Sequence, residues 1–246
     1  IKCYYSGGSV VFTPDSIKQD IEDLSKMGFG AYKMRVGHQT WGQDIHRVET
    51  AAKLLKNKNL MVDAIMGTLK KKWTLMDAEL KIKDLLNYNI FWIEEPLCPT
   101  SISDYEKLRK KSKIPIALGE AYSGKINFES IISNNAADII QFDATNSMGL
   151  RKLIDFSIKN KIKQATHVWG TSLSLIANAN LSLLSKNINY LEYPSVKFKI
   201  SDDIVEEKIK IINGKYIPNT YPGFGIKITD EIKERYSLTK NSGYRI

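Results

Sequence analysis

Strand-like and helix-like segments alternate along this chain without a break, and the successive strand-like runs end on ionisable residues. The runs are short and rich in Ile, Val, Phe and Trp: "GFGAYKMRV", "NLMVD", "IFWIEEP", "IPIALGE", "ADIIQFD", "IKQATH" and "INYLE". Continuous apolar runs of that kind read as parallel strands buried on both faces, and a charge at such a strand's end is poorly placed unless something there requires it. In chain order the residues are Lys33 and Arg35, Asp63, Glu94 and Glu95, Glu120, Asp143, His167 and Glu192. The repetition describes a ring of ionisable groups around one mouth, which is where an α/β barrel keeps its chemistry.

The intervening segments have helical periodicity. "TPDSIKQDIEDLSKMG" opens with Thr13 as N-cap and Pro14 at the first helical position, and it stops at Gly28. Further helices are expected from about Gln43 to Lys56 and from near Thr74 to Leu86, then in "SISDYEKLRKKS", "NFESIISNN", "GLRKLIDFSIKN" and "SLSLIANANLSLLSK". With the opening "KCYYS" there are eight strands, each followed by a helix except the last. Right-handed crossovers close such units into a (β/α)8-type TIM barrel, here modified as (β/α)7β with its eighth helix missing or replaced. A doubly wound open sheet would carry a Gly-rich phosphate loop after its first strand, and "YYSGGSVVF" is not G-x-G-x-x-G. The expected organisation is a barrel domain over residues 1–195 and a tail over 196–246, with short strands, Pro and Gly turns and one short helix, packing on the barrel or on a capping domain.

Composition removes several function classes. At 246 residues, 43% hydrophobic and 26% charged, the chain has the size and balance of one such barrel. The net charge of +9 invites a nucleic-acid reading, but the lysines are spread over amphipathic segments such as "KKWTLMDAELKIKDLL", and no helix-turn-helix, zinc-finger or aromatic RNA-binding signature focuses them. No apolar stretch approaches the ~20 residues that span a bilayer, and the opening segment lacks the pattern of a signal peptide. A cytoplasmic protein is expected, with no nucleic-acid or membrane partner. Cys3 and Cys98 form neither a metal-type spacing nor a disulfide framework and are read as structural.

Asp63, Glu94 and Glu120 end three successive strands and would converge within a few ångströms, where unneutralised carboxylates repel or take up protons. A hard dication resolves that, and all-oxygen ligation points to Mg2+, one per chain. Alternatively, each carboxylate pairs with a lysine or caps the following helix. Glu95 competes with Glu94, but neighbours on a strand face opposite ways, so only one of them can serve the mouth. His38 and His46 fall in a loop and on a helix face and are read as solvated.

Seven segments in this order, "YKMR", "VDA", "WIEEPL", "LGEA", "FDATNSMGL", "ATHVWGTSL" and "LEYP", resemble the barrel domain of the mandelate racemase branch of the enolase superfamily. That resemblance implies that Asp63, Glu94 and Glu120 take the places of the three Mg2+ ligands. It implies a dyad in which Asp143 orients His167 as the base, a Lys-x-Lys position filled by Lys33 and Arg35, and a hydrogen-bonding role for Glu192 on the eighth strand. The shared step of the family is removal of the proton next to a carboxylate to form an enediolate. Where racemases have a second basic lysine this chain has Arg35, which stays protonated, so two-base racemisation is disfavoured. The expected activity is therefore dehydration of an acid sugar, with a racemase, epimerase or cycloisomerase of the same superfamily, or a catalytically silent barrel, as the alternatives. Ile65 stands where the family pattern after the metal-binding Asp commonly reads D-x-N. Members also carry an N-terminal capping domain over the mouth, and these residues begin at the first barrel strand, so the cap is not among them. A small carboxylate is the expected partner, and a homo-oligomer the expected assembly.

Overall fold

Our computed structural model describes residues 1–237 apart from 197 and 207. Eight parallel strands form a closed barrel in chain order: β1 (Cys3–Ser6), β2 (Ala31–Arg35), β3 (Asn59–Asp63), β4 (Ile90–Glu94), β5 (Ile116–Leu118), β6 (Ile139–Phe142), β7 (Lys163–Thr166) and β8 (Ile188–Pro194). Closure is made by β1 on β8, with Cys3 opposite Leu191 and Ser6 opposite Pro194. Seven helices wrap the outside: α1 (Pro14–Lys26), α2 (Trp41–Leu55), α3 (Leu75–Leu85), α4 (Ile102–Lys111), α5 (Lys125–Ser133), α6 (Leu150–Lys159) and α7 (Ser172–Ser182). The five-residue α8 (Lys199–Asp203) stands in place of a full eighth helix.

Local chemistry accounts for the helix boundaries. Thr13 accepts from the Ser16 N–H at the start of α1, and Ile17, Ile21 and Leu24 make its buried stripe. Thr40 and Gln43 form a capping box, so α2 starts at Trp41 rather than near Gln43, and Thr74 caps α3 in the same way.

Two apolar layers result. One lies between barrel and helices. The other fills the inside of the barrel with one residue from each strand: Tyr4, Ala31, Met61, Trp92, Ala117, Ile139, Ala165 and Tyr190. Side chains repeat every second residue on a strand face, so two positions further along each chain segment come Ser6, Lys33, Asp63, Glu94, Gly119, Gln141, His167 and Glu192. The apolar plug thus passes directly into the polar floor of the mouth.

The tail contains a hairpin of β9 (Lys210–Ile212) and β10 (Lys215–Ile217), then α9 (Asp230–Arg235), so its described residues include two short helices, α8 and α9, where one was expected. The hairpin packs on the end of the barrel opposite the mouth: the N-terminal ammonium of Ile1 donates to Tyr216 O and Cys3 N to Gly214 O. Residues 238–246 of the expected tail lie outside the described residues.

Gly119 joins β5 to Glu120 with φ +153°, and a Cβ there would fall 2.3 Å from the Gln141 carbonyl oxygen and 2.7 Å from its nitrogen. Backbone contact at that range admits no side chain. Gly119→Ala should lower stability by about 2–4 kcal/mol, read as a shift in the urea unfolding midpoint; an unshifted midpoint would refute this account of the β5–β6 approach.

Candidate metal centre and active site

β3, β4 and the residue following Gly119 carry three carboxylates to one place. Ligand oxygens of Asp63, Glu94 and Glu120 lie within 4.8 Å of one another, the first two residues buried and the third partly so. Burial and then the Glu94 charge push the Asp63 carboxyl above its ordinary value, and burial does the same to Glu120. Asp63 Oδ1 accepts the Ile65 N–H at 2.8 Å. A set of three carboxylates with no His or Cys among them fits a hard, oxygen-seeking dication.

Lys33 sits inside this acidic group and is only 1% exposed. Its Nζ lies 2.7 Å from Glu94 Oε1, 3.0 Å from Glu192 Oε1 and 3.7 Å from Asp63 Oδ2. The Glu192 contact is an ion pair without aligned hydrogen-bond geometry at Oε1; Oε2 of the same residue accepts the Val168 N–H at 2.7 Å. Burial alone would depress the ammonium, yet the Glu192 and Glu94 charges outweigh it and hold Lys33 well above the lysine range. Burial likewise opposes ionisation of Glu192, and Lys33 reverses that and lowers it.

Arg35 is on the same strand, two residues on. Its Nη1 donates to Gly7 O at 2.9 Å and its Nη2 to Ser6 Oγ at 3.3 Å, while Nε stays 3.9 Å from Asp63 Oδ2. Behind it the buried Arg47 donates to Asp44 Oδ1, Arg35 O, Gly8 O and Ser9 O, which ties the loop after β1 to the end of β2.

Asp143 and His167 meet from β6 and β7. Asp143 Oδ2 lies 3.0 Å from His167 Nδ1, and Oδ1 accepts from Asn178 Nδ2 and from the Thr145 N–H and hydroxyl. His167 Nε2 is 3.3 Å from Glu120 Oε2. Although burial disfavours both charges, the hydrogen bond they share, with Asn178 assisting, holds Asp143 down at about 2 and lifts His167 to about 9. With Glu120 facing the other nitrogen, two carboxylates favour the protonated ring in the cation-free protein.

Two positions around the three carboxylates are strained. Ile65 has φ +47°, a left-handed backbone that Asn adopts far more readily than a β-branched residue. The D-x-N pattern expected here therefore has a backbone reason, and this chain carries the strained alternative. Glu95 has φ +40° and does not join the three-carboxylate group. Its carboxyl is buried against the Gly67 backbone without an aligned hydrogen bond, and a Cβ on Gly67 would fall 2.5 Å from Oε2. Burial and then Glu120 push that carboxyl well above its ordinary value.

Of the remaining expectations, His38 and His46 are exposed, Cys3 is buried and free, and Cys98 is free and partly buried. Asn178, Arg47 and Asp44 were not expected. Their signal is modest: Asn178 is a polar residue on the buried face of the apolar α7, and Asp44 and Arg47 are an acid–base pair three apart on the buried face of α2.

A family model described as enolase C-terminal domain-like matches residues 16–232. The chain belongs to the enolase superfamily, in its mandelate racemase branch. Among superfamily relatives it is 26% identical over 250 residues to L-talarate/galactarate dehydratase of Salmonella typhimurium, covering 100% of this chain and 59% of that protein. It is 26% identical over 253 residues to D-galactarolactone cycloisomerase of Agrobacterium fabrum, covering 95% of this chain and 65% of the relative. The chain thus spans about three-fifths of the length of these two relatives. A crystal structure of a racemase from Streptomyces coelicolor with bound magnesium has the same fold, with TM-score 0.84 and 22% identity over 96% of this chain and 62% of the other. Among the described residues no helix is long and apolar enough to cross a membrane.

In the cation-free protein the His167 ring should titrate near 9 when followed by NMR, and Asp143→Asn should lower that value by about one to two units. Because the folded value exceeds the ordinary 6.5, the stability this histidine contributes is complete below about 6.5 and is lost as pH rises through about 9. The urea midpoint should fall across that window; a wild-type ring titrating at 6.5 would contradict the bridged imidazolium.

Proposed function

We propose that this chain carries the reaction centre of a Mg2+-dependent acid-sugar dehydratase. The observation that carries the reading is the position of His167, hydrogen-bonded through Nδ1 to Asp143 and presenting Nε2 beside Glu120 of the three-carboxylate group. A base is thereby set next to the group that would hold an acid substrate. The dehydratase relative supports the reaction, and the magnesium bound in the structural neighbour, a racemase of the same fold, supports only the choice of ion.

Each residue's part follows from its contacts. Asp63, Glu94 and Glu120 would hold one Mg2+, which when bound anchors the substrate carboxylate and favours negative charge on it. Asp143 keeps the proton on Nδ1; a cation on Glu120 would remove the carboxylate that favours a second proton on the ring, so that Nε2 is free to accept the α-proton. As the C–H pair moves toward the carboxyl group an enediolate forms, and the Lys33 ammonium, already oriented by Glu94 and Glu192, offsets the added charge. The β C–O bond then breaks, and the hydroxyl departs as water with the proton from His167. The enol that remains tautomerises to a 2-keto-3-deoxy acid.

Arg35 remains a cation, so it binds a carboxylate or hydroxyl of the substrate and supplies no second base. Similarity to the cycloisomerase favours a second reading with the same proton abstraction and a different second step.

The test is incubation with Mg2+ and a panel of aldonic and aldaric acids in deuterium oxide, with 2-keto acids detected by semicarbazide and α-deuterium by NMR. Keto-acid formation is expected; deuterium uptake without keto acid transfers the assignment to the isomerase reading, and no exchange with any acid refutes both. His167→Asn should lower α-exchange by at least about 1000-fold without weakening calorimetric Mg2+ affinity, since the ring no longer competes for Glu120, whereas Glu94→Gln should weaken that affinity about tenfold or more.

A further inference from the structure

Trp169 follows His167 by two residues and is 44% exposed, while Trp92 lies inside the barrel and Trp41 and Trp73 are partly buried. The guanidinium of Arg35 stacks over the Trp169 ring, 5.1 Å from its centroid, and Phe198 packs edge-on against the same ring at 5.8 Å and 84°. Arg35 ends β2 and Trp169 follows β7, with β8 and β1 between them in the barrel. The contact therefore arches over the strand ends that carry Glu192 and Ser6.

Arg35 has a strong reason to lie elsewhere. Its long side chain ends beside a buried carboxylate, and a guanidinium forms paired hydrogen bonds with carboxylates wherever it can reach them. Such a pair would occupy Asp63. Instead Nε stops 3.9 Å from Asp63 Oδ2, beyond hydrogen-bond distance, and the other two nitrogens are committed to Gly7 O and Ser6 Oγ. One face of the guanidinium is closed by the indole. Each of these contacts restrains the group from turning inward.

We propose that Trp169 is a positioning residue whose ring, by stacking on Arg35, keeps that guanidinium off Asp63 and so keeps the Asp63–Glu94–Glu120 group open to a divalent cation. The inference rests on the reading that these three carboxylates hold the ion. It assigns the indole no contact with the reacting atoms. It also accounts for an aromatic residue on the mouth loop that the proton-transfer scheme does not use.

The test is Mg2+ binding followed by isothermal calorimetry, with turnover playing no part. Trp169→Ala should weaken Mg2+ about tenfold, because the freed Arg35 competes for Asp63, and Trp169→Phe, which retains a ring face, should stay within about threefold of wild type. The deciding variant is Trp169→Ala combined with Arg35→Leu, which should bind Mg2+ at least as tightly as wild type. A loss of affinity that the second substitution leaves in place would make Trp169 merely structural and overturn the inference. So would a Trp169→Ala protein with unchanged affinity. If Trp169→Ala does not fold, Arg35→Leu alone decides: tighter or unchanged Mg2+ binding supports the inference and weaker binding overturns it. A wild-type chain that binds no Mg2+ removes the metal reading and this inference together, whereas normal wild-type binding with unaltered variants removes the inference alone.

Discussion

The buried ammonium of Lys33 is the interaction on which the mouth of this barrel depends. Asp63, Glu94 and Glu192 are each at most 2% exposed, and all three lie within 3.7 Å of Lys33 Nζ. Carboxylates at that burial are tolerated only when neutralised or paired. One lysine cannot balance three carboxylates together with the nearby Glu120, which leaves an excess of negative charge; burial, with the Glu94 charge adding to it, displaces Asp63 and Glu120 upward. That excess is the physical basis for reading the site as a cation site.

Charge balance also organises the opposite wall. His167 lies between Asp143 and Glu120, so the histidine and a cation draw on the same carboxylate. Binding of a cation at Glu120 and deprotonation of the ring are therefore linked. The hydrogen bond to His167 keeps Asp143 ionised, and Asn178 and Thr145 assist and fix it, so part of the restraint on the ring comes from outside the acidic group.

Backbone strain gathers at the ends of the strands that carry the three carboxylates. Ile65 and Glu95 hold left-handed backbone on either side of the β3–β4 contact, and Gly119 allows β5 to approach β6 closely enough to present Glu120. Strain of this sort persists only where the surrounding barrel over-determines it. The closed ring of strands and the apolar layer beneath the mouth supply that support.

Much of the architecture was legible in the sequence because it depends on local periodicity. Apolar runs of strand length, Thr N-caps and a Pro at the first helical position specify alternating elements, and eight such strands close most simply into a ring. The charged residues at the run ends were legible too, because a charge beside a buried run stands out in one dimension. Other features depend on distance between strands remote in sequence. Glu94 and not Glu95 joins the acidic group because strand register and a positive φ turn the two apart. Arg35 meets Trp169 only because barrel closure sets β7 and β2 on either side of β8 and β1. Asn178 reaches Asp143 only through the packing of α7 on the barrel. Composition and periodicity thus determined which residues lie on which faces, whereas tertiary structure decided which charges share a site, because Coulomb and hydrogen-bond energies depend on separations that only closure of the ring sets.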